Sequence, residues 1–256
     1  MQNKYDVIIV GAGPTGIYGA YELILKAPHL KVLLVDKGRD IYTRSCPLLK
    51  GLIKQCPQNP SGEPGCLPAC AMTAGFGGSG AYSDGKFNIT SEFGGWMTNY
   101  LSKEIVLDLI KYVDEINLKH GAPTEITDPY TPEVMEIEKK GIAAGLKLLR
   151  SQVRHLGTEI NLQLMKSIYD EMQKHIDYAF ATEVQDIIVE DNQIKGVKLA
   201  KGQIIEAKYV LLGVGRNGSE WLSKILTKHG IRLKNNRVDI GVRVETNDII
   251  MSDINK

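Results

Sequence analysis

Long apolar runs are absent from this sequence. The longest are about six residues, far short of the roughly 20 that a membrane-spanning helix requires, so no contact with a membrane is expected. A charge excess is absent too. The 31 Lys and Arg side chains offset 30 Asp and Glu, leaving a formal net charge of +1. That provides no field to draw the chain onto nucleic acid or an anionic surface, and no basic stripe interrupts the balance. Cysteine is scarce, with four residues in 256, all between positions 46 and 70. The opening MQNKYDVIIV runs almost directly into a strand with no signal peptide, so the expected location is the cytoplasm, where a disulfide framework is disfavoured. Internal repeats and low-complexity tracts are also lacking.

What remains is an ordinary globular composition, 43% hydrophobic and 24% charged, in a chain long enough to bury a core as one domain or two. YDVIIV at 5–10 is a continuous, β-branched run of the kind buried on both faces of a parallel sheet. GAGPTG follows, then IYGAYELILKA with Ile17, Tyr21 and Ile24 at helical spacing, then a second buried strand, KVLLVD, ending at Asp36. This is a βαβ unit of Rossmann proportions. Residues 37–98 are turn-rich, and a loop of that length in a compact domain is usually functional or disordered.

Three helical segments follow. LSKEIVLDLIKYVDEINLKHG places Val106, Leu109, Ile110, Val113 and Ile116 on one face with Gly121 as its stop. TPEVMEIEKKGIAAGLKLLR opens with Thr131 as N-cap and Pro132 at the first helical position. TEINLQLMKSIYDEMQKH aligns Leu164, Ile168 and Met172, with Met165 beside them. The period then changes to two. DYAFATEVQDIIVE, a turn at Asp191-Asn192, QIKGVKLA, a turn at Lys201-Gly202 and QIIEAKYVLLGVG read as a β-meander feeding a buried strand. A short helix at about 218–229 and a strand, RVDIGVRVE, complete the pattern.

Gly11, Gly13 and Gly16 fit G-x-G-x-x-G, with Pro14 and Thr15 inside the motif. The first allows the tight turn, the second lets a pyrophosphate approach the backbone, and the third lets helix and strand pack closely. The helix N-terminus then presents partial positive charge to the phosphates. Asp36 lies 20 residues beyond Gly16, where a carboxylate accepts ribose hydroxyls. It would repel a 2′-phosphate, which weighs against NADP even with Lys37 and Arg39 nearby. A glycine turn that merely closes a βαβ unit would leave Asp36 unexplained.

The N-terminal position of this loop, the GAGPTG variant and the later YVLLGVGRNG together resemble FAD-binding proteins of the glutathione-reductase type. That resemblance implies an α/β fold with a Rossmann-like FAD domain, a parallel sheet and a β-meander between the first and last binding strands. It also implies a backbone contact to adenine near Val184 and a close approach around Gly213 and Gly215. FGGSGAYSDGKFN, VRHLGT at 153–158 and DIGVRVE at 239–245 are similar to a family of uncharacterised FAD-dependent, NAD(FAD)-utilising dehydrogenase-like proteins, of which this chain resembles the N-terminal half. In such relatives the glycine-rich loop lies along the pyrophosphate and flavin. Gly77, Gly78 and Gly80 would then turn amides toward an anion, Ser79 and Ser83 would offer hydroxyls, and Lys86 a charge. The alternative is a solvated linker, which rarely carries Phe, Tyr and Lys so regularly.

Cys46, Cys56, Cys66 and Cys70 are separated by nine, nine and three residues. Only the last pair has zinc-knuckle spacing. Four thiolates in one loop also suit an iron–sulfur cluster, a redox dithiol, or no special role. His29, His120, His175 and His229 fall at expected helix ends, where a cation complements the dipole. His155, beside Arg154, is the candidate proton donor or carboxylate anchor, against a structural role for both.

The expected organisation is an FAD domain from 1–90 and 176–230, a helical insertion at 91–175, and the start of a substrate or cap domain at 231–256. The leading expectation is an FAD-dependent oxidoreductase passing a hydride between flavin and a small organic substrate or NAD(P)H. The alternatives are a non-catalytic dinucleotide-binding or scaffold half with a separate C-terminal partner, and an electron-transfer protein with a cysteine-bound cluster.

Overall fold

Val, Ile and Leu dominate KYDVIIV and VLLV, and both runs are buried for nearly their whole length, as strands covered on two faces must be. They become β1 (Lys4–Val10) and β2 (Val32–Val35), joined by α1 (Pro14–Lys26). They pair in parallel with Val7 opposite Val32 and Val10 opposite Val35. The computed structural model describes residues 2–57, 66–83, 85–235, 238, 240–242 and 244–252.

Residues 37–77 hold no helix or strand among those described, and a 3-10 turn at Gly78–Tyr82 leads into β3 (Lys86–Ile89). The insertion carries α2 (Lys103–Lys119), α3 (Pro132–Ala143), β4 (Gln152–His155) and α4 (Gly157–Met172). β3 and β4 form a separate antiparallel ribbon. Ser102 and Thr131 cap α2 and α3 by accepting the Ile105 and Val134 amides, the role that Ser and Thr fill at helix starts.

The chain then returns to the sheet as β5 (Asp177–Ala179), β6 (Val184–Glu190), β7 (Gln193–Leu199) and β8 (Ile204–Leu212), followed by α5 (Ser219–Lys228). The six-stranded order is β5-β2-β1-β8-β7-β6. β5, β2, β1 and β8 run parallel, and β7 and β6 return antiparallel. Asp191 and Asn192 both have positive φ, 51° and 59°, as the two central residues of a type I′ hairpin require.

The fold is therefore α/β, a mostly parallel Rossmann-like sheet carrying a β-meander. One face packs Val7, Ile9 and Leu34 against Ile17 and Ala20 of α1 and Leu164, Ile168 and Met172 of α4. The other packs Ile8, Val10 and Leu33 against Val184, Val197 and Ile205. Each such side chain, fully buried, contributes about 1.5–3 kcal/mol.

Three expectations need correction. Residues 177–190 are not one strand: Ala181, at φ 50°, breaks the run, so β5 joins the parallel edge beside β2 and only β6 belongs to the meander. The second insertion helix ends at Ala143, short of Arg150, and buries none of its residues. The segment 237–245 forms no strand in its described residues. Val238, Ile240, Val242 and Val244 are exposed, and positions 237, 239 and 243 lie outside the described residues. Among the described residues no helix is long and apolar enough to cross a membrane.

Candidate functional site

The glycines of GAGPTG allow backbone to meet backbone. Gly11 has φ +103°, and a Cβ there would stand 2.4 Å from the Gly213 carbonyl oxygen. A Cβ on Gly16 would stand 1.9 Å from the Gly11 carbonyl oxygen. The loop, the first turn of α1 and the end of β8 can share one small volume only without side chains. Gly11 and Gly16 serve that packing, and a Cβ on Gly13 would instead meet only the Gly78 Cα at 4.0 Å across the space beyond.

That space is a crevice of about 370 Å³ at the C-terminal ends of β1, β2 and β8, where open α/β sheets bind ligands. Its floor is Gly11, Gly13, Pro14 and Thr15; Asp36 and Lys37 form one wall, and Gly213 and Gly215 another. Val184 opens the meander side, and Gly78 and Ser79 close the far side. The N-terminus of α1 points its partial positive charge into it.

The glycine-rich stretch reaches the GAGPTG loop itself. The Gly77 amide donates to the Ala12 carbonyl at 2.8 Å, and a Cβ on Gly78 would lie 3.1 Å from the Gly13 Cα. Two side chains not anticipated from sequence hold it there. Arg44, 4% exposed, donates to the carbonyls of Ala71 and Phe76. Asn161, on α4 and 1% exposed, donates to the carbonyls of Gly80 and Ala81. Burial lowers the Arg44 pKa, and the guanidinium is compensated by these carbonyls and by the Tyr82 ring, 5.0 Å away. Both residues bond across long stretches of chain and leave no local signal.

Asp36 faces the crevice, but its carboxylate is largely engaged. Oδ2 accepts from the Ala12 amide at 2.8 Å, and Oδ1 from the Gly38 and Gly75 amides at 2.7 and 3.0 Å. A carboxylate has about four acceptor positions, so roughly one remains for a ligand hydroxyl. Lys37 donates to the Asn217 carbonyl across the rim, and Asn217 donates to Thr73.

The other expected residues lie elsewhere. Gly80 does not line the crevice, and the Ser83 hydroxyl is used within its own turn, donating to the Gly80 carbonyl and accepting the Gly85 amide. Lys86 lines a different cavity and sits opposite His155 on the ribbon. Arg154 is held in an ion pair away from the crevice. It is 2% exposed and bound bidentately to Asp114 at 2.7 and 2.6 Å, with further bonds to the carbonyls of Pro123 and Glu125. Cys46, Cys56, Cys66 and Cys70 are all free thiols. Burial and the neighbouring Cys70, Cys56 and Cys46 raise the Cys66 pKa. Among the described residues, however, no group of three or more His, Cys, Asp or Glu is arranged to hold a metal. The metal or cluster expectation finds no support in this geometry.

No protein-family model matches the chain, and neither does any curated protein. Solved structures do. L-amino acid deaminase from Proteus vulgaris aligns with a TM-score of 0.50 at 15% identity, over 90% of this chain and 51% of that one. Glycine oxidase from Geobacillus kaustophilus gives 0.47 at 16% identity, over 91% and 60%. Thermovibrio ammonificans THI4 gives 0.46 at 14%, over 90% and 64%. The chain thus spans about half the length of the first of these structures, and at such identities the likeness is one of fold.

Proposed function

We propose that this chain is the dinucleotide-binding part of an FAD-dependent oxidoreductase, with residues 1–90 and 176–230 as its FAD domain. The observation that carries the reading is the meeting of two glycine loops at the carboxyl ends of β1, β2 and β8. The crevice fits the group: a Cβ on Gly13, which lines it, would meet only the Gly78 Cα at 4.0 Å and so would take up its free space, a helix N-terminus faces it, and the Asp36 carboxylate stands on its wall. FAD, when bound, supplies a flavin that exchanges a hydride with a small organic substrate or NAD(P)H.

The chain's own residues bind and orient. Gly11 and Gly13 admit the pyrophosphate to the backbone, Asp36 offers its remaining acceptor position to a ribose hydroxyl, and Val184 brings main chain to the adenine. Arg44 and Asn161 fix the carbonyls of the 71–81 segment, which holds the Gly78–Ser79 wall in place. The deaminase and oxidase named by the comparable structures are consistent with a substrate of amino-acid size, which this reading leaves as one option among small organic compounds.

The test is an absorption spectrum of protein purified without air, with identification of the compound released on denaturation. Released FAD is expected. Gly13→Val should abolish it, because branched carbon would fill the approach to Gly78; a Gly13→Val protein that retained full flavin content would refute the assignment.

A further inference from the structure

We propose that the cavity between β3, the 90–98 loop and α2 is a second small-molecule site, taking a compact, mainly apolar compound with one neutral carbonyl oxygen. It holds about 450 Å³, within the range of ligand pockets, and shares no lining residue with the dinucleotide crevice. The proposal therefore does not depend on flavin.

Phe87, Val106, Leu109 and Ile110 give the cavity an apolar wall. Two polar atoms of its lining have no hydrogen-bond partner among the described residues: Asn117 Nδ2 and Ser91 Oγ are buried and unbonded. Asn117 is 0% exposed. The Tyr18 hydroxyl donates to its Oδ1 at 2.6 Å, which fixes the amide orientation and directs the NH₂ group away from Tyr18. An orphaned buried donor is costly, and native proteins rarely keep one unless something satisfies it. A carbonyl oxygen has two lone pairs and accepts from an amide N–H and a hydroxyl together.

Charge favours a neutral ligand. Asp114 also lines the cavity, and both its oxygens accept from Arg154. That pair is balanced, so a carboxylate ligand would add an uncompensated negative charge beside it. Lys86 at the exposed end of β3 acts in the opposite sense, through solvent that screens it.

The probe is acetophenone, titrated into the ¹⁵N-labelled full chain with and without FAD. We expect a saturable shift of the Asn117 side-chain amide in both states, and about tenfold weaker binding of ethylbenzene, which has the same shape without the acceptor. Leu109→Trp, at the half-exposed rim, should abolish binding with an unchanged circular dichroism spectrum. Asn117→Asp keeps the acceptor for Tyr18 and should erase the preference for the ketone. The absence of any saturable shift up to the solubility limit overturns the proposal. Equal binding of ethylbenzene, the mark of a plain apolar void, does the same, and so does tighter binding of benzoate.

Discussion

Asp36 holds three amides that belong to three different segments, those of Ala12, Gly38 and Gly75. Its position at the end of the second strand, at the edge of the crevice, is legible from the βαβ spacing. The amides are not, because Gly75 is 39 residues away and nothing in the local sequence marks it. Asp36→Ala should lower the free energy of unfolding by about 2 kcal/mol, since bonds to a charged acceptor are worth ~1.5–3 kcal/mol each and water recovers part of the loss. Asp36→Asn should lose about half as much. Urea denaturation of ligand-free protein reads this directly, and FAD titration at a denaturant-free concentration then shows whether affinity falls further. Arg154 is a second case in which the long-range partner is not legible. Beside a histidine in sequence it looks chemical; in space its partner is Asp114, 40 residues back.

At the level of elements, that ion pair ties β4 to α2. Removing one partner from a buried pair leaves the other uncompensated, at about 3–5 kcal/mol. Arg154→Met should therefore shift the urea midpoint strongly, and Arg154→Met with Asp114→Leu should recover most of the loss. A second tie joins α1, α2 and α4. Lys119 donates to the Tyr21 hydroxyl, Tyr21 in turn bonds His120 Nε2 at 3.0 Å, and His120 Nδ1 bonds Ser167 at 2.8 Å. Burial, then Lys119, lowers the His120 pKa below 6.5, with Glu171 opposing. A folded-state value below the unfolded one means that the stabilisation is complete above about pH 6.5 and is lost as pH falls through the lower folded value. His120→Gln should flatten the dependence of thermal stability on pH in that window.

Helices were legible where period and burial agree. Leu164, Ile168 and Met172 of α4 face the core as their spacing requires. On α2 the stripe of Val106, Leu109, Ile110 and Val113 instead lines a cavity, and Leu109 is 46% exposed. Periodicity shows which residues share a face; it does not show what lies opposite.

For the whole molecule, the layers follow from patterns of short range: buried strand, glycine turn, helix, then period-two strands with a hairpin at Asp191-Asn192. What those patterns miss is coverage. Tyr209 and Leu211 lie opposite Val7 and Ile9 in the sheet. Leu211 reaches Gly19 of α1, where a Cβ would stand 3.1 Å from its Cδ2, yet Tyr209 is 66% exposed. Exposed apolar side chains bind hydrophobic dyes and partners. The change Tyr209→Lys should lower the fluorescence of bound anilinonaphthalene sulfonate without altering the melting temperature by more than a few degrees.

One carboxylate that ties its own turn to two distant segments has a consequence for how a ligand of the crevice would arrive. The rim of the crevice loses its conformational freedom during folding, when Asp36 gathers its amides, and that entropy is not charged again at association. A ligand would meet a preorganised edge, and its capture would be governed by diffusion and orientation rather than by the closing of a loop.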